Sequence, residues 1–74
     1  MKNITIRDEF IKLGQLLKMA GLTSSGLESK IVILNGEVKV NGEVRLERGK
    51  KIYHGDLVEF QGETIMVKSR LKEI

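Results

Sequence analysis

A chain of 74 residues with no cysteine and a single histidine, His54, has no disulfide, thiolate metal site or multi-histidine centre to hold it together, so its stability must rest on aliphatic packing. Thirteen cations against ten acids give a net charge of +3, and the excess is local: residues 39–51 hold Lys39, Arg45, Arg48, Lys50 and Lys51 against Glu43 and Glu47, while the flanks cancel. A basic patch on a balanced surface is the footprint of a polyanion partner, its plainer alternative being a solvated charged hairpin. No run approaches the ~18–20 apolar residues that span a membrane, and Met1 to Glu9 lacks the apolar stretch of a signal peptide. One cytoplasmic domain over residues 1–74 is expected.

Taken in chain order, Ile4-Thr5-Ile6 alternates and suits a short strand. Phe10, Leu13, Leu17 and Ala20 recur at three, four and three residues, one face of a helix that Leu16 widens and Gly21 stops. Two starts fit this helix: Asp8 as its cap, or a first turn near Lys12. Ser25-Gly26-Leu27-Glu28 reads as a capping box, with the serine oxygen accepting from the Glu28 N–H and the Glu28 carboxylate reaching back to the Ser25 N–H. Behind it Leu27, Ile31 and Leu34 lie at i, i+4 and i+7 and predict a second amphipathic helix, closed by Asn35-Gly36.

The period then changes to two. Val38-Lys39-Val40 alternates, Asn41-Gly42 is a strong hairpin turn signal, and Glu43-Val44-Arg45-Leu46 alternates onward. Arg48 to Lys51 makes a basic loop, Ile52-Tyr53 a short extended piece and His54-Gly55-Asp56 a turn. Leu57 to Phe60 and Thr64 to Val67 are strands joined by Gln61-Gly62, and the charged tail from Lys68 to Ile74 is placed as a fraying end. The expected architecture is α+β: two consecutive helices packed on a small, curled, mostly antiparallel sheet of four to five short strands.

The residues for catalysis are missing. Thr23, Ser24 and Ser25 have no base nearby and read as caps, His54 reads as an exposed turn residue, and no carboxylate spacing suits a metal. The glycines form neither a dinucleotide fingerprint nor a P-loop. No enzymatic activity, cofactor or small-molecule substrate is expected.

A nucleic-acid reading fits better, and it has a definite character. Domains that read single-stranded bases display aromatic platforms. Here Phe10 and Phe60 fall in apolar phase, leaving only Tyr53. Phosphate contact by Lys and Arg, with recognition of a folded RNA by shape, is what the inventory allows. Lys39 points away from Val38 and Val40, Lys30 lies off the second helix's apolar stripe, Lys12 sits at the start of the first helix, and Lys18 is placed in plain solvent.

These residues also resemble a family. Lys12-Leu13-Gly14-Gln15-Leu16-Leu17, Gly21-Leu22, Ser24-Ser25, Ser29-Lys30-Ile31, Gly36-Glu37-Val38-Lys39-Val40-Asn41-Gly42 and Gly55-Asp56-Leu57-Val58 are together similar to the S-four-type RNA-binding domain, named for ribosomal small-subunit protein four. The likeness covers roughly residues 12–60. Leu13 to Lys18 and Arg48 to Ile52 further resemble a small free-standing bacterial group, the YaaA- or YbcJ-like proteins. The resemblance implies an alpha-L motif: a helix pair against a small sheet, with a basic groove for structured RNA.

By position, Lys12 and Lys30 fall where the family carries helix arginines, and Lys39 falls on the Val-x-Val strand. One departure stands out, because the family's Ser-Arg at the second helix start is Ser25-Gly26 here. The expected RNA-binding residues are Lys12, Lys30, Lys39, Asn41, Arg45, Arg48, Lys50 and Lys51. The expected role is that of a monomeric accessory to ribosomal RNA in ribosome assembly or function. The alternatives are transfer or small RNA as the target, or a protein-interaction module on a ribosomal or replication-associated partner that uses Ile65, Val67 or an unpaired strand edge.

Overall fold

A computed structural model describes residues 1–72 of the chain. The elements run β1 (Lys2–Ile6), β2 (Phe10–Lys12), α1 (Leu13–Met19), α2 (Gly26–Leu34), β3 (Val38–Val40), β4 (Glu43–Val44), β5 (Lys51–Tyr53), β6 (Leu57–Phe60) and β7 (Glu63–Ser69), followed by a 3-10 turn over Arg70–Lys72. Five strands form one mixed sheet in the order β1-β7-β6-β3-β4. Its pairings are antiparallel except β1 with β7, which run parallel. β2 and β5 form a separate antiparallel ribbon.

The first helix starts at the later of its two expected positions. Lys12 is extended, with φ −74° and ψ 143°, and the helix opens at Leu13. Phe10 keeps the right helical phase yet lies in β2, because Tyr53 and Ile52 of β5 offer it and Ile11 strand partners. The start is fixed from outside the helix. Leu13 N–H donates to the Lys50 carbonyl and Gly14 N–H to the Arg48 carbonyl, both at 2.9 Å. Two of the helix's orphan donors are thus satisfied by a loop more than thirty residues downstream. Leu13, Leu16, Leu17 and Ala20 form the buried stripe.

The second helix is turned relative to its expected stripe. Leu27, Ile31 and Leu34 are 67 %, 50 % and 58 % exposed, whereas Ser29 and Ile33 are buried and Val32 half-buried. Residues 31–34 are all aliphatic, so hydrophobicity alone does not select a face. A polar contact does: Ser29 Oγ and Thr23 Oγ1 share a buried hydrogen bond of 2.6 Å, and an unpaired hydroxyl there would be costly. Gly14 of α1 faces Ser29, and a methyl group added there would stand in ordinary contact, 3.8 Å from the Ser29 Cβ. Thr23 is therefore a core residue, not a cap.

The capping box is half as expected: Ser25 Oγ accepts from the Glu28 N–H at 3.1 Å. The Glu28 carboxylate, however, accepts from the N–H and the hydroxyl of Ser24 instead of from Ser25. Gly36, at φ 75°, supplies the left-handed residue that ends α2.

Asn41 and Gly42 turn the β3–β4 hairpin at φ 51° and 86°, the primed geometry that this dipeptide favours. β4 stops at Val44, so Arg45 and Leu46 lie beyond the strand. β7 is longer than expected and includes Lys68 and Ser69; of the tail expected to fray, Glu73 and Ile74 lie outside the described residues. Ile65 and Val67 are fully buried beneath the sheet with Val38, Val58 and Phe60, so they offer no docking surface. No described helix is long and apolar enough to cross a membrane.

Candidate nucleic-acid interface

The two backbone bonds that open α1 also shape a surface. They hold the Arg48–Lys50 loop against the helix start, and an open groove of about 360 Å³ lies at that junction. It is lined by Lys12 from β2, Gly14, Gln15 and Lys18 from α1, Gly26 from α2, and Arg48 and Gly49 from the loop. Gly14 faces the loop at this junction, where an added Cβ would stand in ordinary van der Waals contact with the Cβ and the carbonyl oxygen of Arg48, both at 3.5 Å.

Three cations from three separate elements, Lys12, Lys18 and Arg48, thus share one hollow with no acid among the described residues on its wall. All three are exposed, and none belongs to an ion pair among the described residues. Each therefore retains its hydrogen-bond donors for a ligand. Multiple fixed positive charges around a low-walled groove attract phosphate.

Lys18, placed in plain solvent by its sequence position, is exposed as expected and also lines the groove. The spacing carried the signal: Gly14 and Lys18 are i and i+4 and so lie one above the other, on the flank of the Leu13, Leu16 and Leu17 stripe.

The other expected residues are spread over the surface. Lys30 is exposed on α2 and does not line the groove. Lys39 is exposed on β3 but sits in a shallow depression together with Glu37 and Glu59, and Glu59 is its cross-strand partner. Lys50 is half-buried, its carbonyl engaged by Leu13. Lys51 lies across the ribbon from Lys12, with its Nζ 4.8 Å from the centroid of the Phe10 ring. Arg45 is half-buried, its Nη2 3.6 Å from Glu43 Oε2, and its Nε is buried without a hydrogen-bond partner.

Asn41 is engaged inside the protein. Its amide nitrogen donates to Asp56 Oδ1 at 3.1 Å, and its amide oxygen accepts from the Leu57 N–H at 2.9 Å. Asp56 in turn accepts from the Tyr53 N–H at 2.8 Å, so this pair staples the hairpin to the turn before β6. Asn41→Ala is expected to destabilise the fold by about 2 kcal/mol, from the lost bonds and the strain of alanine at positive φ. Urea unfolding checks this, and RNA affinity of the folded variant should stay within about twofold. A tenfold loss of affinity without loss of stability would place Asn41 in the interface.

His54 is exposed, as expected, and its Nδ1 accepts from the Ser69 N–H at 2.9 Å. Among the described residues no cluster of three or more His, Cys, Asp or Glu could hold a metal ion.

Comparison with known proteins places this geometry in context. The S4 domain model matches residues 4–68. A Bacillus subtilis (strain 168) protein named "Probable ribosome maturation protein RlbA" is 46 % identical over 59 residues, covering 80 % of this chain and 83 % of that protein. YbcJ of Escherichia coli (strain K12) is 40 % identical over 57 residues, covering 77 % of this chain and 81 % of its own. The solution structure of Escherichia coli YbcJ, described as revealing an alphaL motif involved in RNA binding, superposes with a TM-score of 0.71 at 35 % identity, over 92 % of this chain and 87 % of that one.

Proposed function

The chain belongs to the S4 domain family, and on that premise we propose that it binds structured RNA by its phosphates, with ribosomal RNA as the target, as an accessory of ribosome assembly in the cytoplasm. The convergence of Lys12, Lys18 and Arg48 on one acid-free groove carries this reading. The names of its relatives support it, one as a ribosome maturation protein and one as a structure with an RNA-binding motif. The protein acts by binding alone: cations neutralise phosphates and release counterions, with no catalytic step.

Sedimentation of tagged protein from lysate, at low and high salt and with the co-purifying RNA sequenced, tests the proposal. Salt-sensitive co-migration with a ribosomal subunit or its precursor is the expected result. Migration free of RNA at the top of the gradient would refute it.

Two substitutions grade the surface. Lys39→Ala should weaken binding only about twofold, because acids surround it, and equally for all sequences, because a phosphate contact carries no base information. Selective loss for one RNA would show that Lys39 reads bases or a particular shape. Gly26→Arg should tighten binding about fivefold and steepen the salt dependence by roughly one phosphate contact. Gly26 lines the groove, and a Cβ built on it meets no atom within 4 Å. Unchanged affinity would mean that RNA does not pass over the start of α2.

A second reading, a protein-interaction module, is favoured by the stripe of Leu27, Ile31 and Leu34 exposed on α2. Recovery of a ribosomal protein at high salt, lost on Ile31→Lys, would favour it over RNA.

A further inference from the structure

β1 and β7 run parallel, with Ile6 opposite Ser69. The next residue on each is an arginine, so Arg7 and Arg70 leave the ends of neighbouring strands together. Ser69 clamps the two exits. It is fully buried, and its hydroxyl donates to the Asp8 carbonyl at 2.7 Å. The same hydroxyl accepts from the Leu71 N–H at 3.2 Å.

Both arginines line a second groove, of about 440 Å³, distinct from the first. Its other walls are of a different character: Phe10 and Ile11 from β2, and Met19 from α1, which is 57 % exposed. Phe10 is a fixed wall, since the Tyr53 ring stands 5.8 Å from it, tilted by 49°. Gln15 lines this groove and the basic groove alike, so the two hollows adjoin across α1.

Among the described residues neither Arg7 nor Arg70 makes an ion pair, and Asp8 is the one acid that lines the groove. The fork of N–H donors on an arginine matches phosphate oxygens. Exposed methionine, half-buried isoleucine and a held aromatic ring suit a flat apolar ligand face. A nucleotide is the ligand class that combines an anionic group with such a face, and a hollow of this size accepts one.

We propose that this second groove holds one unpaired nucleotide of the bound RNA, its phosphate on Arg7 and Arg70 and its base against Met19, Ile11 and Phe10. The inference rests on the RNA-binding reading and extends it. The basic groove takes the backbone of a helix by charge, and the second groove selects RNA with a nucleotide free to leave the stack.

The test compares two RNA hairpins of one sequence, fully paired or carrying a single bulged adenosine, by fluorescence anisotropy. Wild type should prefer the bulged hairpin about tenfold. Arg7→Gln with Arg70→Gln should erase the preference while keeping affinity for the paired hairpin within about threefold. Met19→Ala should weaken the bulged hairpin alone.

If the arginine variant retains the wild-type preference, or wild type shows none, the inference is overturned and the phosphate-groove reading stands. If wild type binds neither hairpin, the RNA reading itself fails, and titration with adenosine 5′-monophosphate, followed by amide NMR shifts, decides the pocket. Shifts centred on Arg7, Met19 and Arg70 and absent in the variant would uphold a site for free nucleotide. No shifts would overturn it.

Discussion

Reversal of Lys12, Lys18 and Arg48 to glutamate is expected to lower affinity for structured RNA by at least about 100-fold at low salt, because three phosphate contacts become three repulsions. The slope of log affinity against log salt should flatten by roughly two to three units in the same variant. The fold should survive. All three side chains are exposed, none is ion-paired among the described residues, and the bonds that seat the loop on α1 come from the carbonyls of Arg48 and Lys50. Glutamate at these positions leaves those carbonyls in place.

Anisotropy titrations against a ribosomal RNA fragment, paired with urea unfolding of the same sample, give both readouts. A reversed variant that folds and binds like wild type would remove the groove from the interface. Reversal of Arg48, Lys50 and Lys51 is also expected to abolish binding, but it is a less clean test. Lys50 is half-buried and Lys51 lies over the Phe10 ring, so that set disturbs packing as well as charge.

The second large effect concerns α2. Ile33→Ala is expected to cost about 3 kcal/mol, since it empties a fully buried site at the helix–sheet contact. For a 74-residue domain, whose total stability is of the order of 4–11 kcal/mol, that is a substantial share. Ile31→Ala, two residues earlier and half exposed, should change stability by less than about 0.5 kcal/mol. Alanine's better helix propensity offsets part of the little area lost there. Urea unfolding of the two variants side by side measures the difference. The reverse order would mean that α2 is rotated to bury Leu27, Ile31 and Leu34.

That rotation shows where the reading of the sequence ends. The α1 stripe of Leu13, Leu16, Leu17 and Ala20 is interrupted by Gly14, Gln15 and Lys18, so its period defines one face, and that face is buried while Met19 stays exposed. In α2 the run Ile31-Val32-Ile33-Leu34 supplies aliphatic side chains in every direction. The buried face is then chosen by the Thr23–Ser29 hydroxyl pair and by the close approach of Ser29 to Gly14. The hydroxyl pair joins the turn before α2 to the helix itself, six residues on, whereas the approach of Ser29 to Gly14 exists only once the helices have met. Phe10 makes the same point at the other end: it obeys a helical period yet forms a strand, because β5 supplies a partner some forty residues away.

For the candidate site, the sequence by itself determined the chemistry. It placed the charge excess in residues 39–51 and set the Asn41-Gly42 turn by the left-handed tolerance of those two residues, whereas Phe10, assigned by its phase to the core, is half-buried and lines the second groove. Tertiary structure decided which cations stand together. Backbone bonds from Leu13 and Gly14 to the 48–50 loop carry Arg48 to Lys12 and Lys18, while Lys39, outward-facing as its alternation requires, is left beside Glu37 and Glu59. Periodicity fixes the direction of a side chain relative to its own element. Distances between elements come from the hydrogen bonds and close packing that join them, and a phosphate responds to those distances.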